Sequence, residues 1–590
     1  MKTYTCKNIR NIALAGHGGS GKTSVAEGLL YKCGEIERMG KVSDGNSVCD
    51  YDPEEIKRKI SLGTSLAYCQ WKDVKINILD TPGQFDFAAG LYEGISAAES
   101  VVIALPAKDG VQVGTIKAYR EAIKHGKATM FVVTRMEEEN SNFYKCLEEL
   151  KTQFGPSICP IVVPFDKYGT VESYINLLEM KAYTYDNGVP TEVPMPASEN
   201  RLKGLRAAMA EAVAETDEEL MMRYFENEGE DFTEAEIVKG LHDGIHKGYI
   251  TPVVCCSGDT LAGIDMMLNT IIYMLPSPDE TDGELCDDGS KVQYASRDTL
   301  EAKVFKTVAD PFVGKLSYIK IVNGTLAAGT EVVNRTTGNL EKPGKLLSMQ
   351  GKKTEDMIEA YAGDIVAATK LSANTGDTLT ASGDETVFAA EKYPVPCFFK
   401  AISAKDKNDE GKISNAIKRM VEEDKTLSYD HNHETHQRIL GGLGEQHLDA
   451  AISKMKAKFG VDVIVSDPII AYRESIRKKV QAEGKHKKQS GGHGQYGHVK
   501  MRFSPSGDLT KPYEFATEVV GGAVPKNFFP AVEKGIQESV GRGPLAAYPV
   551  VGVKAVLYDG SYHPVDSSEM AFKTAAIQAF KKGCLLYTSP

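Results

Sequence analysis

The chain has 590 residues, of which 42% are hydrophobic and 25% are charged, and its formal net charge is −12 at pH 7. This length and composition indicate a globular protein of about four domains and exclude a disordered or fibrous chain. The acidic balance argues against a general nucleic-acid binder, although individual domains can differ in charge.

The sequence contains no apparent membrane-spanning segment or secretory signal peptide. No apolar run approaches the ~18 residues that a membrane-spanning helix needs, and the first eight residues contain no apolar signal core. The eleven cysteines lack the spacing of a disulfide framework or a metal site. We therefore expect a cytoplasmic protein with no membrane attachment. We also expect a monomer.

A glycine-rich segment between a short apolar strand (residues 11–15) and an expected helix (residues 22–33) is the most informative motif. Gly, four residues and then Gly-Lys-Thr form the P-loop pattern, in which backbone N–H groups and a helix N-terminus surround phosphate oxygens. We expect the lysine to reach the β- and γ-phosphates and the threonine hydroxyl to ligate Mg²⁺. The candidate nucleotide-binding residues here are Gly16, His17, Gly18, Gly19, Ser20, Gly21, Lys22, Thr23 and Ser24.

A second motif, Asp80-Thr81-Pro82-Gly83, follows an alternating apolar segment at residues 74–79. An aspartate at the end of a strand that follows a P-loop can hold the Mg²⁺ shell. Gly83 lets its backbone N–H approach a γ-phosphate closely. We therefore predict that these four residues bind nucleotide and that Asp80 also binds the metal.

Together with Arg58-Lys59-Ile60-Ser61, these two motifs resemble those of translational GTPases, and the best match is elongation factor G with its paralogues. The resemblance implies GTP and Mg²⁺ as ligands, a switch I around Ser61 and a switch II from Asp80 to Phe87. It implies that the Ser61 hydroxyl takes the place of a threonine on Mg²⁺. The family usually has histidine after the switch II glycine, whereas this chain has Gln84. Because a carboxamide can orient water, Gln84 is the predicted catalytic residue.

The segment expected to read the base departs from the family pattern Asn-Lys-x-Asp, since it reads Thr134-Arg135-Met136-Glu137. Glu137 is still a carboxylate acceptor and Arg135 can still stack on a base, but Thr134 cannot replace the asparagine amide. A misplaced contact can cost ~1–3 kcal/mol, so we expect a weaker preference for guanine. Ser257 and Gly258 resemble part of the third base-binding element.

The expected fold class is multidomain, with α/β and β domains. Residues 1–280 should form a P-loop GTPase domain with an inserted subdomain at about 155–250, and residues 295–385 a β-barrel with a hairpin turn at Asn323-Gly324. At residues 392–466 the order strand, helix, strand, strand, helix, strand predicts a ferredoxin-like domain. Residues 470–583 resemble the family's α+β fourth domain, which is similar to ribosomal protein S5 domain 2.

The fourth domain reverses the overall charge, since residues 471–503 hold nine Lys or Arg against two Glu. Basic and aromatic side chains on a glycine-rich loop suit an RNA surface. The loop also resembles the tip of the fourth domain of elongation factor G, and residues 559–569 resemble its second loop. The predicted RNA contacts are Lys487, Lys488, Gly491, Gly492, His493, Gln495, Tyr496 and His563.

The resemblance implies a ribosome-associated GTPase that couples GTP hydrolysis to translocation of tRNA and mRNA. It extends over residues 9–582, and the family continues with a fifth domain, so the chain is expected to be a fragment. One alternative is a ribosome-protection factor of the tetracycline-resistance type, although the glycine-rich loop favours a translocase. Another is a nucleotide-gated ribosome-binding module with little GTPase activity, which Thr134 and Glu137 suggest. The sequence leaves open whether the chain is a main translocase or a specialised paralogue.

Overall fold

The computed structural model describes residues 3–167, 170–196, 199–227, 232–310, 314–406, 410–489 and 494–586. The chain divides into two compact units. One comprises residues 1–431 with 438–467, and the other comprises residues 432–437 with 468–590. Among the described residues, no helix has the length and apolar character needed to cross a membrane.

The first part of the chain builds a mostly parallel sheet of seven strands. Its elements up to the inserted segment are β1 (Ile9–Gly16), α1 (Lys22–Lys32), α2 (Pro53–Arg58), β2 (Ser65–Trp71), β3 (Val74–Asp80), α3 (Ala88–Ala97), β4 (Ser100–Pro106), α4 (Val113–Lys124), β5 (Ala128–Thr134) and α5 (Phe143–Phe154). The inserted segment and the end of the domain contribute β6 (Ile158–Pro160), β7 (Val162–Lys167), β8 (Thr170–Asn176), β9 (Lys181–Asp186), β10 (Val189–Val193), α6 (Glu199–Ala214), α7 (Glu218–Asn227), α8 (Glu234–His246), β11 (Thr251–Cys255) and α9 (Ile264–Met274).

The seven strands have the order β2-β3-β1-β4-β5-β11-β6, and only β2 runs antiparallel to its neighbour. Strands β1, β4 and β5 are buried along their whole length, as expected for parallel strands that are covered on both faces. Because β1, β3, β5 and β11 are parallel, their carboxyl ends meet at one edge of the sheet. This edge carries Gly16, Asp80, Thr134 and Cys255.

The inserted segment differs in part from the prediction. Strands β7 to β10 form a separate four-stranded antiparallel sheet, but β6 pairs in parallel with β11 and so extends the nucleotide sheet. The prediction that residues from about 155 to 250 form an inserted subdomain outside the nucleotide core was therefore wrong at β6. A strand of three residues is too short to show a hydrophobic period.

The next elements are β12 (Glu284–Leu285), β13 (Lys291–Val292), β14 (Glu301–Asp310), β15 (Gly314–Asn323), β16 (Thr325–Ala327), β17 (Val332–Asn334), β18 (Leu340–Glu341), β19 (Leu346–Gln350), β20 (Lys353–Met357), β21 (Glu359–Tyr361), β22 (Ile365–Thr369) and β23 (Thr378–Thr380). Eight of these strands form one sheet in the order β18-β17-β23-β14-β15-β22-β19-β20. This all-β region agrees with the expected fold class.

The predicted hairpin at Asn323-Gly324 was wrong. Strand β15 pairs with β14 and β22, whereas β16 pairs with β21 in another sheet. Gly324 has a φ of +67°, and a side chain there would lie 2.7 Å from the Leu300 nitrogen. The buried Asn323 side chain accepts hydrogen bonds from the backbone N–H groups of Ser296 and Arg297. The Asn-Gly pair therefore marks a change of sheet.

The predicted ferredoxin-like order is confirmed. Its elements are β24 (Phe398–Ala404), α10 (Glu410–Glu423), β25 (Ser428–Asn432), β26 (Gln437–Gly442), α11 (Glu445–Phe459) and β27 (Val463–Ser466), and the sheet order is β25-β26-β24-β27. Apolar residues at helical spacing on α10 and α11, including Ile413, Ile417, Leu448 and Met455, form the core of this domain.

The second unit contains a four-stranded sheet and two long helices. Its elements are β28 (Val480–Lys488), β29 (Gln495–Pro505), β30 (Tyr513–Thr517), α12 (Phe529–Val540), β31 (Val553–Ser561) and α13 (Glu569–Leu585). The sheet order is β28-β29-β31-β30, with β30 parallel to β31. Phe503 of β29 packs edge-to-face on Phe580 of α13 in the core, so the expected α+β fold is confirmed.

Buried ion pairs connect the nucleotide sheet to the β-rich region. Lys75 Nζ of β3 lies 2.7 and 2.9 Å from the two carboxylate oxygens of Asp364, just before β22. Asn77 donates a further hydrogen bond to Asp364 at 3.1 Å. Lys320 of β15 pairs with Glu99 from the nucleotide domain. Because a buried charge needs a partner, separating the two regions or removing one member of a pair would leave a buried charge unpaired.

We predict that Asp364→Asn destabilises the protein by about 3 kcal/mol, because it leaves the Lys75 ammonium buried without a counter-charge. Equilibrium urea unfolding measures this loss. The matched control is Asp356→Asn, which breaks the Lys345–Asp356 pair, whose side chains are 65% and 66% exposed, and which should cost less than about 0.5 kcal/mol. Equal losses in the two variants would contradict the role given to the buried pair.

Candidate nucleotide site and basic tip

The P-loop lies between β1 and α1. The Lys22 side chain is 5% exposed, and its ammonium donates to the carbonyl oxygens of His17 at 2.9 Å and Gly16 at 3.3 Å. Burial lowers the pKa of Lys22, while the charges of Asp80 and Asp50 hold it up. Gly19 and Gly21 adopt left-handed backbone angles within the loop. The lysine therefore lies along the inner side of the loop, among groups that can surround phosphate.

The two motifs meet through one hydrogen bond. The Thr23 hydroxyl, at the start of α1, donates to Asp80 Oδ2 at 2.7 Å. The next residue, Thr81, anchors the segment by donating its hydroxyl to the Leu14 carbonyl of β1 at 2.7 Å. Pro82 and Gly83 then lead the chain along the P-loop, where a side chain at Gly83 would lie 2.5 Å from Lys22 Nζ.

Asp50 is a functional candidate that the sequence analysis did not single out. It is 4% exposed and Asp80 is 1% exposed, and burial raises the pKa of both carboxyl groups. The Ser61 hydroxyl lies beside Asp50 and opposes this rise. Within the described residues, Asp50 Oδ2 and Asp80 Oδ1 are buried without a hydrogen-bond partner. Two such carboxylate oxygens beside the hydroxyls of Thr23 and Ser61 fit the oxygen ligands that Mg²⁺ prefers.

The sequence contained only a weak signal for Asp50, because it begins an acidic run that includes Asp52, Glu54 and Glu55. Asp52 caps α2 by accepting from the Glu54 backbone N–H. The Glu55 side chain accepts from the Leu62 backbone N–H at 2.9 Å. Sequence alone cannot tell which carboxylate of such a run caps a helix and which faces a metal site.

The Gln84 carboxamide lies against the P-loop. A side chain at Gly18 would lie 2.7 Å from Gln84 Nε2, so glycine is required there for this approach. The next residue, Phe85, packs edge-to-face on His17 at 5.7 Å between ring centroids, and Lys117 Nζ of α4 lies 4.0 Å from the same ring. Gln84 is therefore held beside the loop that carries Lys22.

The first of the two predicted base-binding segments, residues 134–137, contacts the P-loop. The Thr134 hydroxyl donates to the Ser20 carbonyl at 2.7 Å and so stabilises the P-loop backbone. Arg135, with a φ of +58°, lies beside Gly21 and pairs with Glu138 at 2.9 Å.

The second predicted base-binding segment, at Ser257 and Gly258, is joined to β5 and to α1. Cys256 donates its backbone N–H to Val133 at 3.0 Å, and a side chain at Gly258 would lie 2.7 Å from the Ser24 carbonyl carbon. The Ser257 hydroxyl accepts from the Thr260 backbone N–H. Burial raises the pKa of Cys256 and the Glu137 carboxylate adds to the rise, which places the exposed Glu137 side chain near this segment.

In the second unit, two predicted RNA-contact segments meet at one end of the sheet. Lys487 and Lys488 of β28 pair with Tyr496 and Gln495 of β29. The rings of Tyr496 and His563 lie 6.4 Å apart, and the Tyr496 N–H donates to the Asp566 carbonyl. The predicted contacts Gly491, Gly492 and His493 lie outside the described residues.

Comparison with known proteins covers almost the whole chain. Family models match with the descriptions Elongation factor Tu GTP binding domain at residues 7–277, Elongation factor G domain 2 at 299–382, Elongation Factor G, domain III at 393–467 and Elongation factor G, domain IV at 468–586.

An Elongation factor G-like protein of Thermotoga maritima is 38% identical over 582 residues, which cover 98% of this chain and 84% of the relative. A crystal structure of a Thermus thermophilus protein superposes with a TM-score of 0.82 at 35% identity, covering 98% of this chain and 85% of that one. The P-loop and switch motifs, the matched domains and these relatives agree: the chain belongs to the elongation factor G-like family of translational GTPases.

Proposed function

We propose that this protein hydrolyses GTP on the ribosome and couples hydrolysis to the movement of tRNA and mRNA. The observation that carries the proposal is the Gln84 carboxamide held against Gly18 of the P-loop, beside Lys22. This contact supports the proposal because a group that can orient water lies beside the loop that surrounds the phosphates in the P-loop pattern. Membership in a family of translation factors supports the choice of guanine nucleotide and of the ribosome as partner.

In the proposed reaction, the P-loop backbone N–H groups and the Lys22 ammonium hold the phosphates. Thr23, Ser61 and Asp80 would hold Mg²⁺, with Asp50 beside them, and the metal when bound would neutralise charge on the phosphate oxygens. Gln84 accepts a hydrogen bond from the attacking water and so orients it toward the γ-phosphate. The proposed base contacts are Arg135, Glu137, Ser257 and Gly258, with Thr134 acting through the P-loop.

The proposed RNA surface comprises Lys487, Lys488, Gln495, Tyr496 and His563, together with the predicted contacts Gly491, Gly492 and His493, which lie outside the described residues. Lysines at the end of a hairpin suit phosphate oxygens, and the Tyr496 ring suits an unstacked base. We propose that this surface contacts ribosomal RNA, tRNA or mRNA on the ribosome. We also propose that the protein is a cytoplasmic monomer.

The proposal is tested by Gln84→Ala. Because Gln84 orients water and does not hold the nucleotide, we expect GTP affinity to stay within about threefold while ribosome-stimulated single-turnover hydrolysis falls roughly 10²-fold or more. Lys22→Ala is the control that should lose nucleotide binding itself. Hydrolysis at the parental rate in the Gln84 variant would contradict the catalytic role, and a parent chain without ribosome-stimulated hydrolysis would contradict the proposed function.

The metal site is tested by Asp50→Asn. Removing one of the two buried carboxylates should raise the Mg²⁺ concentration needed for half-maximal GTP binding about tenfold, as expected for a group that orients the metal shell. Fluorescent-nucleotide binding across a Mg²⁺ titration measures the change. Asp44→Asn removes an equal charge from an exposed position in the same segment and should leave the Mg²⁺ requirement unchanged. An identical requirement in parent and Asp50 variant would exclude Asp50 from the metal site.

The role of Thr134 is tested by Thr134→Val, which removes the hydroxyl and keeps the shape. Because that hydroxyl supports the P-loop, GTP and ATP should both bind about fivefold more weakly and their affinity ratio should not change. Thr129→Val on the same strand, whose hydroxyl faces Thr251, serves as the control. Calorimetric titration of both nucleotides gives the ratio, and a change confined to GTP would show that Thr134 reads the base.

A further inference from the structure

Helix α11 of the ferredoxin-like domain begins with a cap that comes from another part of the chain. Its N-cap residue, Gly444, has no side chain with which to cap the helix. Asp86 supplies the cap instead, since its Oδ2 accepts the backbone N–H groups of Gln446 at 3.0 Å and His447 at 3.3 Å. A side chain at Gly444 would collide with this carboxylate. Two of the helix's first N–H groups therefore depend on Asp86.

Asp86 is two residues from Gln84, and the connection between them is short and folded. Residues 85–87 form a single 3₁₀ turn that follows Gln84, and the Phe87 N–H donates to the Gln84 carbonyl at 3.1 Å. At one end of this turn the Gln84 carboxamide rests on Gly18. At the other end the Asp86 carboxylate is fixed to α11. A shift of the helix start should therefore move Gln84.

Apolar contacts reinforce the same connection. Phe87 is 3% exposed and forms a small buried cluster with Leu62 and Ala450 of α11. The Phe87 ring also packs edge-to-face on the ring of His447, at 5.8 Å between centroids. His447 is fixed in turn, because its Nδ1 accepts the Leu443 N–H at 3.1 Å and its Nε2 lies 2.8 Å from Asp424.

The segment that carries Asp50 and Ser61 also contacts α11. Arg58 of α2 pairs with Asp449 at 2.7 Å, and the Ser453 hydroxyl donates to Glu54 at 2.6 Å. One helix outside the nucleotide domain thus holds the turn after Gln84 and the helix that precedes Ser61.

We propose that Asp86 is a positioning residue for hydrolysis: by capping α11 it fixes the turn that carries Gln84, so the geometry of the water-orienting carboxamide depends on the ferredoxin-like domain. The inference rests on the proposed function, because it assigns Asp86 a part in the same GTP hydrolysis. Asp86 has no contact with the nucleotide in this account and acts through Gln84 alone.

The test combines Asp86→Ala with Gln84→Ala in the whole chain. Asp86→Ala should slow single-turnover hydrolysis with saturating ribosomes roughly tenfold and leave GTP affinity within about threefold. In the Gln84→Ala background, the same change should slow hydrolysis less than about twofold, because the group it positions is already gone. Asp86→Asn should keep at least about half of the parental rate, since asparagine caps helices as well as aspartate does.

Gly444→Ala tests the contact from the other side. Gly444 has a φ of −169°, so alanine fits the backbone, and the variant harms only by displacing the Asp86 carboxylate. It should slow hydrolysis as much as Asp86→Ala does, and the two changes together should be no slower than either alone. The control Glu445→Ala removes an exposed carboxylate from the same first turn, and its rate should stay within about twofold of the parent.

Hydrogen exchange at the Gln446 and His447 amides measures directly whether the Asp86 cap protects these two N–H groups. It should accelerate about fivefold in Asp86→Ala and stay at the parental rate in Gln84→Ala. Hydrolysis at the parental rate in Asp86→Ala overturns the inference. A roughly tenfold slowing by Asp86→Ala in the Gln84→Ala background, equal to its effect in the parent, overturns it as well. If the parent chain binds GTP but never hydrolyses it with ribosomes, the proposed function fails and this inference fails with it. A parent that hydrolyses GTP while Asp86→Ala is normal overturns the inference alone.

Discussion

The arrangement of the site depends on a buried charge imbalance. Lys22, Asp50 and Asp80 are all nearly inaccessible to water, and this places two carboxylates beside a single ammonium. In the described part of the chain, each carboxylate keeps one oxygen without a hydrogen-bond partner. Burying such charge is expensive unless a cation compensates it. A divalent ion with its phosphate ligand would satisfy both carboxylates and the lysine at once, so the protein's own charges already favour the ligands that its family uses.

The groups that create this imbalance are supported from different directions. Asp80 and Lys22 belong to the rigid sheet and to the helix that follows β1. Asp50 lies in a loop that Glu27 of α1 holds by accepting the backbone N–H groups of Gly40 and Val48. Two neighbouring regions contact the nucleotide domain. The β-rich region does so through the Lys75–Asp364 pair, and the ferredoxin-like domain does so through α11. The proposed phosphate site is thus local in sequence, whereas the proposed metal and water sites depend on remote contacts.

Under the proposed function, this division separates nucleotide binding from hydrolysis. The P-loop is positioned by its own strand and helix, so the proposed phosphate contacts do not depend on the other domains. Segments docked on another domain respond when that domain moves, because packed elements shift between discrete arrangements. The second unit, with its basic hairpin end, forms its own core and so provides a rigid carrier for the proposed RNA surface.

By itself the sequence determined the P-loop, the Asp80 motif and the order of strands and helices in the ferredoxin-like domain. These features depend on glycine spacing and hydrophobic periods over a few residues, which are local properties of a chain. The local pattern at Asn323-Gly324 wrongly predicted a hairpin. Sequence alone also provided no means of telling the metal-site candidate Asp50 from the acidic residues that follow it. Only the tertiary structure decided that Thr134 supports the Ser20 carbonyl and that Asp86 caps a helix 360 residues away. Such contacts join segments that no local pattern relates, because their partners are chosen by the packing of whole domains.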